Sequence, residues 1–157
     1  MFYNYKDTAR FRVYADLNWM PTYSFGYGLS YTTFSASSFK ARSSSDSLTF
    51  KSGDFITFSV EITNTGTMTG SYVAQIYLLG RISSITTPLK QLMAFQRVYL
   101  DAGESKKVEM ELEVDRYLPI LNREAEWELE KGEYTFALLE DSRWDADTEA
   151  NVTLSCV

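Results

Sequence analysis

Histidine is absent from this 157-residue chain and cysteine occurs once. Without histidine there can be no Ser-His-Asp triad, no Cys-His pair and no imidazole-ligated zinc. A single cysteine, Cys156, excludes an intrachain disulfide and a thiolate metal cluster. Its plainer role is a small apolar residue ending a strand, ahead of a reactive thiol. No apolar run approaches the ~18 residues that a membrane-spanning helix needs. The first residues, Met1-Phe2-Tyr3-Asn4-Tyr5-Lys6-Asp7, lack the charged-then-apolar order of a secretory signal. Basic residues are outnumbered, 15 against 21 acidic, for a net charge of −6. Such a domain repels phosphate backbones, which disfavours nucleic acid as a partner. The excess is uneven, with residues 1–100 at net +4 and residues 101–157 at net −10.

What the chain does have is apolar and aromatic material, 45% and 15% of its residues. Its length suits one domain with a short appended arm. A chain of this size buries roughly 70% of its unfolded surface, so its core needs no disulfide or metal. Residues 1–34 are aromatic but follow neither a period of 2 nor one of 3.6. They include Phe11, Tyr14, Trp19, Tyr23, Phe25, Tyr27 and Tyr31, with Pro21, Gly26 and Gly28 among them. This predicts an extended arm that packs its aromatics onto something, leaving residues 35–157 for the folded body.

Within that body a strand is predicted at Phe39–Arg42, followed by a serine-rich loop, Ser43–Ser47. Ile56, Phe58, Val60 and Ile62 then share one face of a strand, stopped by Asn64-Thr65-Gly66. Tyr72–Leu79 is nearly continuously apolar, as in a strand buried on both faces, and Gln91–Leu100 is another strand. Val108, Met110, Leu112 and Val114 alternate with Lys107, Glu109, Glu111 and Glu113. Ala125, Trp127 and Leu129 oppose Glu124, Glu126, Glu128 and Glu130 in the same way. Tyr134–Leu139 and a last short strand through Val152 and Leu154 close the chain. No stretch of ten residues carries a helical stripe. Seven or eight short strands with turns at this spacing predict an all-β, antiparallel sandwich of the immunoglobulin or fibronectin type III kind.

Candidate chemistry is thin. The four glutamates from Glu124 to Glu130 could supply the carboxylate pair of a glycoside hydrolase. On one strand face they are more simply a solvated surface that discourages edge pairing. Asp141, Asp145, Asp147 and Glu149 could offer oxygens to calcium, but they lack EF-hand spacing and its turn glycine. Asn151-Val152-Thr153 is an N-glycosylation sequon, usable only in a secreted chain. The aromatic arm could stack on sugar rings, although core or interface packing is the commoner use of such clusters. Spacing alone therefore assigns no catalytic residue, metal or cofactor.

The strings themselves say more. Tyr23-Ser24-Phe25-Gly26-Tyr27-Gly28-Leu29-Ser30-Tyr31-Thr32-Thr33-Phe34 resembles the segment leading into the C-terminal domain of glycoside hydrolase family three, with Ser24 where proline is usual. Ile62-Thr63-Asn64-Thr65-Gly66, Gly70 and Val73-Ala74-Gln75-Ile76-Tyr77-Leu78 look like that domain's next strands. The run Pro88–Leu100 is similar to its following signature, with Ala94 where glycine is common. Ala102-Gly103-Glu104-Ser105 and Gly132-Glu133-Tyr134-Thr135 complete five ordered motifs, and the resemblance as a whole runs from about residue 8 to residue 155.

The resemblance implies a fibronectin type III-like domain belonging to an exo-acting β-glucosidase or β-xylosidase. In that family the nucleophilic aspartate lies on an N-terminal barrel, and the acid/base usually lies on a middle domain. Neither region matches anything here, so the resemblance implies no catalytic residue, and the chain looks like the C-terminal end of a longer, secreted enzyme. Its implied partners are the preceding barrel and middle domains, with an oligosaccharide as a further candidate. Ala9-Arg10-Phe11-Arg12-Val13-Tyr14 leans toward the β-xylosidase-like members. The implied role is to brace the catalytic domains, with the Arg81–Thr87 or Ser43–Ser47 loop facing them. The competing readings are an independent carbohydrate-binding module and a fibronectin-like protein-interaction module. An arm without its partner would expose an apolar patch and favour self-association.

Overall fold

The computed structural model describes residues 22–45, 48–143 and 150–157. Phe11, Tyr14, Trp19, Asp145, Asp147 and Glu149 lie outside them. Seven strands of six residues or more make the body: β1 (Phe34–Ser43), β3 (Phe55–Asn64), β4 (Gly70–Arg81), β5 (Gln91–Leu100), β6 (Ser105–Glu113), β9 (Gly132–Leu139) and β10 (Asn151–Cys156). Three two-residue strands are added: β2 (Thr49–Phe50), β7 (Ile120–Leu121) and β8 (Trp127–Glu128), and the helical turn α1 covers Val114–Tyr117. A three-stranded sheet runs β1-β3-β6 and a five-stranded sheet runs β2-β10-β9-β4-β5. All pairings are antiparallel except that of β2 with β10. The sandwich expected from the alternation is the fold observed.

The core lies between the two sheets. Along β3 the inward residues Ile56, Phe58, Val60 and Ile62 are all buried, as their period of 2 requires. From β6 come Val108, Met110 and Leu112, and from the other sheet Ala74, Ile76, Leu78, Phe136 and Leu154. Phe58 stacks on Phe39 of its own sheet, with centroids 6.2 Å apart, and meets Phe136 of the facing sheet at 5.1 Å. Phe34 likewise reaches Tyr72 at 5.4 Å. Such aromatic pairs add about 0.5–1.5 kcal/mol beyond their burial. Cys156 ends β10 as a buried member of this core, where burial pushes its thiol pKa up.

Four features depart from the sequence-based expectation. The first strand starts at Phe34, five residues before Phe39, and takes in residues 34–38. Thr49–Phe50, assigned to no element by the sequence, pairs with β10 and buries Phe50 completely. Val114 leaves the strand and opens α1 instead. The glutamate-rich stretch is not one strand. Asn122 Oδ1 accepts the Glu124 and Glu126 amides at 3.1 and 2.9 Å, and Ala125 turns at φ +63°. Only Trp127 and Glu128 then pair, against Leu121 and Ile120. The carboxylates therefore do not line one face: Asn122 Nδ2 donates to Glu128 Oε2 at 3.1 Å, while Glu130 Oε1 accepts the Ser84 amide at 2.8 Å.

Candidate functional site

The described part of the arm, residues 22–33, folds back onto the outer face of the five-stranded sheet. It is fastened by its main chain. Tyr27 N donates to Ser24 O at 3.0 Å, closing a turn with Gly26 at φ +86°. That turn lies over Gln75, whose Nε2 donates to Gly26 O at 3.2 Å and to Glu140 O at 2.6 Å. Tyr77 Oη donates to Gln75 Oε1 at 2.9 Å, and Ser142 N donates to Phe25 O at 2.9 Å. A Cβ on Gly26 would lie against Gln75 Oε1 and 2.9 Å from Tyr77 Oη, so only glycine fits both the angle and the space.

From this clamp the arm runs back along β4 toward Gly70. Thr32 Oγ1 donates to Asn64 Oδ1 at 2.7 Å, and Thr65 N donates to Thr33 O at 2.9 Å. Asn64 is fully buried and ties the same corner to β5, its Nδ2 donating to Met68 O at 2.8 Å and Leu100 O at 3.2 Å. Beneath the clamp, Tyr77, Ala137 and Leu139 form a second small apolar cluster with Leu79 and Leu92 against it. This is why Tyr72–Leu79 reads as doubly buried: Ala74, Ile76 and Leu78 enter the main core, while Gln75 and Tyr77 are covered by the arm. Loss of hydration pushes the Tyr77 hydroxyl pKa up to about 12, with the Asp141 carboxylate adding to it. Asp141 is itself buried and held by Arg143, whose Nε lies 3.0 Å from each carboxylate oxygen.

The aromatics do the opposite of the backbone. Tyr31 is 97% exposed and Phe25 67%, and Tyr23, Tyr27 and Leu29 are also exposed. Tyr23 and Tyr27 touch each other, with centroids 5.0 Å apart. Polar clamps and a glycine, rather than these rings, hold the arm on the sheet.

The remaining candidates are placed as follows. Ser43, which is buried, and the exposed Ser44 and Ser45 donate to the Asp54 carboxylate, with Lys51 N a further donor at 2.9 Å. These bonds, Ser45's foremost, hold the Asp54 pKa below the usual carboxylate range. The Arg81–Thr87 loop borders a shallow cavity of about 400 Å³. Burial pushes the Glu130 pKa up, but hydrogen bonds from Ser83 and Ser84 outweigh it and hold the carboxyl below its usual value. Asn151 is exposed at the start of β10. Among the described residues no group of three or more acidic or cysteine side chains could hold a metal ion, and no helix is long and apolar enough to cross a membrane. Trp127, exposed on the β7–β8 hairpin beside Leu121, was not singled out by sequence, because the alternation placed it on a strand's inner face.

A two-sheet antiparallel sandwich is the fibronectin type III-like architecture, and the model for a fibronectin type III-like domain matches residues 72–142. The chain belongs to this domain family in the form carried by family-three β-glucosidases. It is 37% identical over 125 residues to the probable β-glucosidase I of Aspergillus niger, covering 79% of this chain and 15% of that protein. Over 122 residues it is 37% identical to the periplasmic β-glucosidase of Salmonella typhimurium, covering 78% of this chain and 15% of that protein. The solved β-glucosidase from Erythrobacter marinus superimposes with a TM-score of 0.80 at 29% identity, over 100% of this chain and 20% of that chain. The chain thus spans about one-sixth of the length of the relatives it matches.

Proposed function

We propose that this chain serves as the non-catalytic C-terminal domain of a family-three β-glycosidase and braces the domains that cleave the sugar. The observation that carries this reading is the arm. Residues 1–34 are the linker and residues 35–157 the sandwich, and the described arm is pinned by backbone while Tyr23, Phe25, Tyr27 and Tyr31 face outward. Phe11, Tyr14 and Trp19 belong to the same interface in this proposal. Each aromatic buried against a neighbouring domain contributes about 1.5–3 kcal/mol, so a handful suffices to hold it. The partners are the preceding barrel and middle domains of the same polypeptide. The named relatives favour β-glucosidase over β-xylosidase as the parent activity, against the lean of residues 9–14. The Salmonella relative, named as periplasmic, supports a location outside the cytoplasm, where the Asn151 sequon would be usable only in a host that glycosylates.

The full chain should show no turnover of aryl β-glucosides or β-xylosides and no retention on insoluble polysaccharide. Hydrolysis lost on Glu126→Gln or Glu128→Gln would overturn the non-catalytic reading. Retention lost on replacing the arm aromatics would favour a carbohydrate-binding module instead.

A further inference from the structure

The outer face of the five-stranded sheet is covered on one side only. Under the arm, Gln75, Tyr77, Ala137 and Leu139 are buried. One strand further out, Phe95 is 68% exposed and Tyr99 61%, and Val73 on β4 is exposed as well. Register shows that these belong to one surface. Phe95 stands opposite Gln75, Arg97 opposite Val73 and Tyr99 opposite Ser71, and directly paired residues of antiparallel strands share a face. Phe95 is therefore the cross-strand neighbour of the very carboxamide that fastens the arm.

The outer face of the three-stranded sheet is chemically different. Thr57, Ser59 and Glu61 of β3 stand opposite Glu111, Glu109 and Lys107 of β6. Lys107 and Glu109 form an exposed ion pair at 2.6 Å. Phe55, at the strand's end, is its exposed ring. Tyr, Phe and Arg together are what buried interface centres favour, whereas Lys, Glu and Ser are what they lack.

We infer that Val73, Phe95, Arg97 and Tyr99 on the outer face of β4–β5 extend the arm's surface into one continuous docking face for the preceding domain, with the three-stranded sheet on the solvent side. The inference rests on the reading of the arm given above and adds a second, separable contact to it. The occupant is argued from continuity. The arm is the covalent lead to whatever precedes the sandwich, and its anchor point at Gln75 adjoins Phe95. A tethered partner meets this face at an effective concentration near the millimolar range, so a small aromatic patch is enough. The relatives supply the length such a partner needs, since about five-sixths of each lies outside the matched region.

The test uses the Salmonella periplasmic β-glucosidase with its matching region replaced by this chain, beside the full chain alone. Three variants are compared in both: Phe95→Ser with Tyr99→Ser, Phe25→Ser with Tyr27→Ser, and Phe55→Ser as the matched control on the other sheet. The Phe95/Tyr99 variant should lower the chimera's melting temperature and raise chymotryptic cleavage of the arm about tenfold or more. In the full chain alone it should leave both unchanged. If it perturbs the chain alone, the single variant Phe95→Gln takes its place. A Phe95/Tyr99 variant that behaves like Phe55→Ser in the chimera, while Phe25/Tyr27 still destabilises it, would overturn the sheet contact and leave the arm reading standing. Silence of both would overturn both. A dimer of the chain alone that the Phe95/Tyr99 variant dissolves, with the chimera unaffected, would assign the face to a second copy and likewise end the proposal.

Discussion

Gly26 concentrates the arm's attachment in one residue. Its left-handed φ costs an alanine about 1–2 kcal/mol before any clash, and the Gln75 and Tyr77 side chains leave no room for a methyl group. Gly26→Ala should detach residues 22–31 while the sandwich stays folded, seen as faster proteolysis of the arm with an unchanged far-UV spectrum. Tyr77 gives this clamp a pH dependence. Its folded pKa is raised to about 12, above the ~10 of an unfolded tyrosine. Its contribution is therefore fully present below pH 10 and is lost as pH rises toward 12. Tyr72, also raised to about 12 by burial and then by Glu140, acts in the same direction. Tyr77→Phe should lose about 1 kcal/mol at neutral pH with its bond to Gln75. It should also flatten the alkaline decline, which denaturant titrations between pH 8 and 12 would measure. An unaltered decline would place the alkaline sensitivity elsewhere.

At the scale of elements, β3 shows how the sequence reads when one force dominates. Its inward residues alternate without exception because one face must be dry, and the structure buries each of them. Phe58→Ala, at the crossing of Phe39 and Phe136, should cost about 3–5 kcal/mol in denaturant unfolding. A loss below 1 kcal/mol would mean that the two sheets repack freely around the gap. Alternation misled at residues 124–130, where local hydrogen bonds from the Glu124 and Glu126 amides to Asn122 Oδ1 outcompeted the pairing that the pattern suggested. Asn122 was the available turn signal. Thr49–Phe50 was illegible because two residues carry no period, and their pairing with β10 spans more than a hundred positions. The arm was legible as irregular and aromatic, but its main-chain attachment along β4 was not. A ring's preference for burial says nothing of which surface receives it, and here Gln75, Gly26 and Asn64 fix the backbone before any ring is placed.

For the whole molecule, these observations describe a sandwich with two unlike outer faces, one charged and one aromatic, and a strap whose rings are left exposed. The central claim is that those rings belong to a neighbouring domain. It is tested most directly by calorimetry of the β-glucosidase chimera carrying Tyr23→Ser, Phe25→Ser, Tyr27→Ser and Tyr31→Ser, with the same variant of the chain alone as reference. In the chain alone the transition should stay where it was and solubility should rise. In the chimera the sandwich should uncouple, melting separately from the catalytic domains where the unmodified chimera melts once. A chimera whose single transition is unmoved by the four substitutions would contradict the claim.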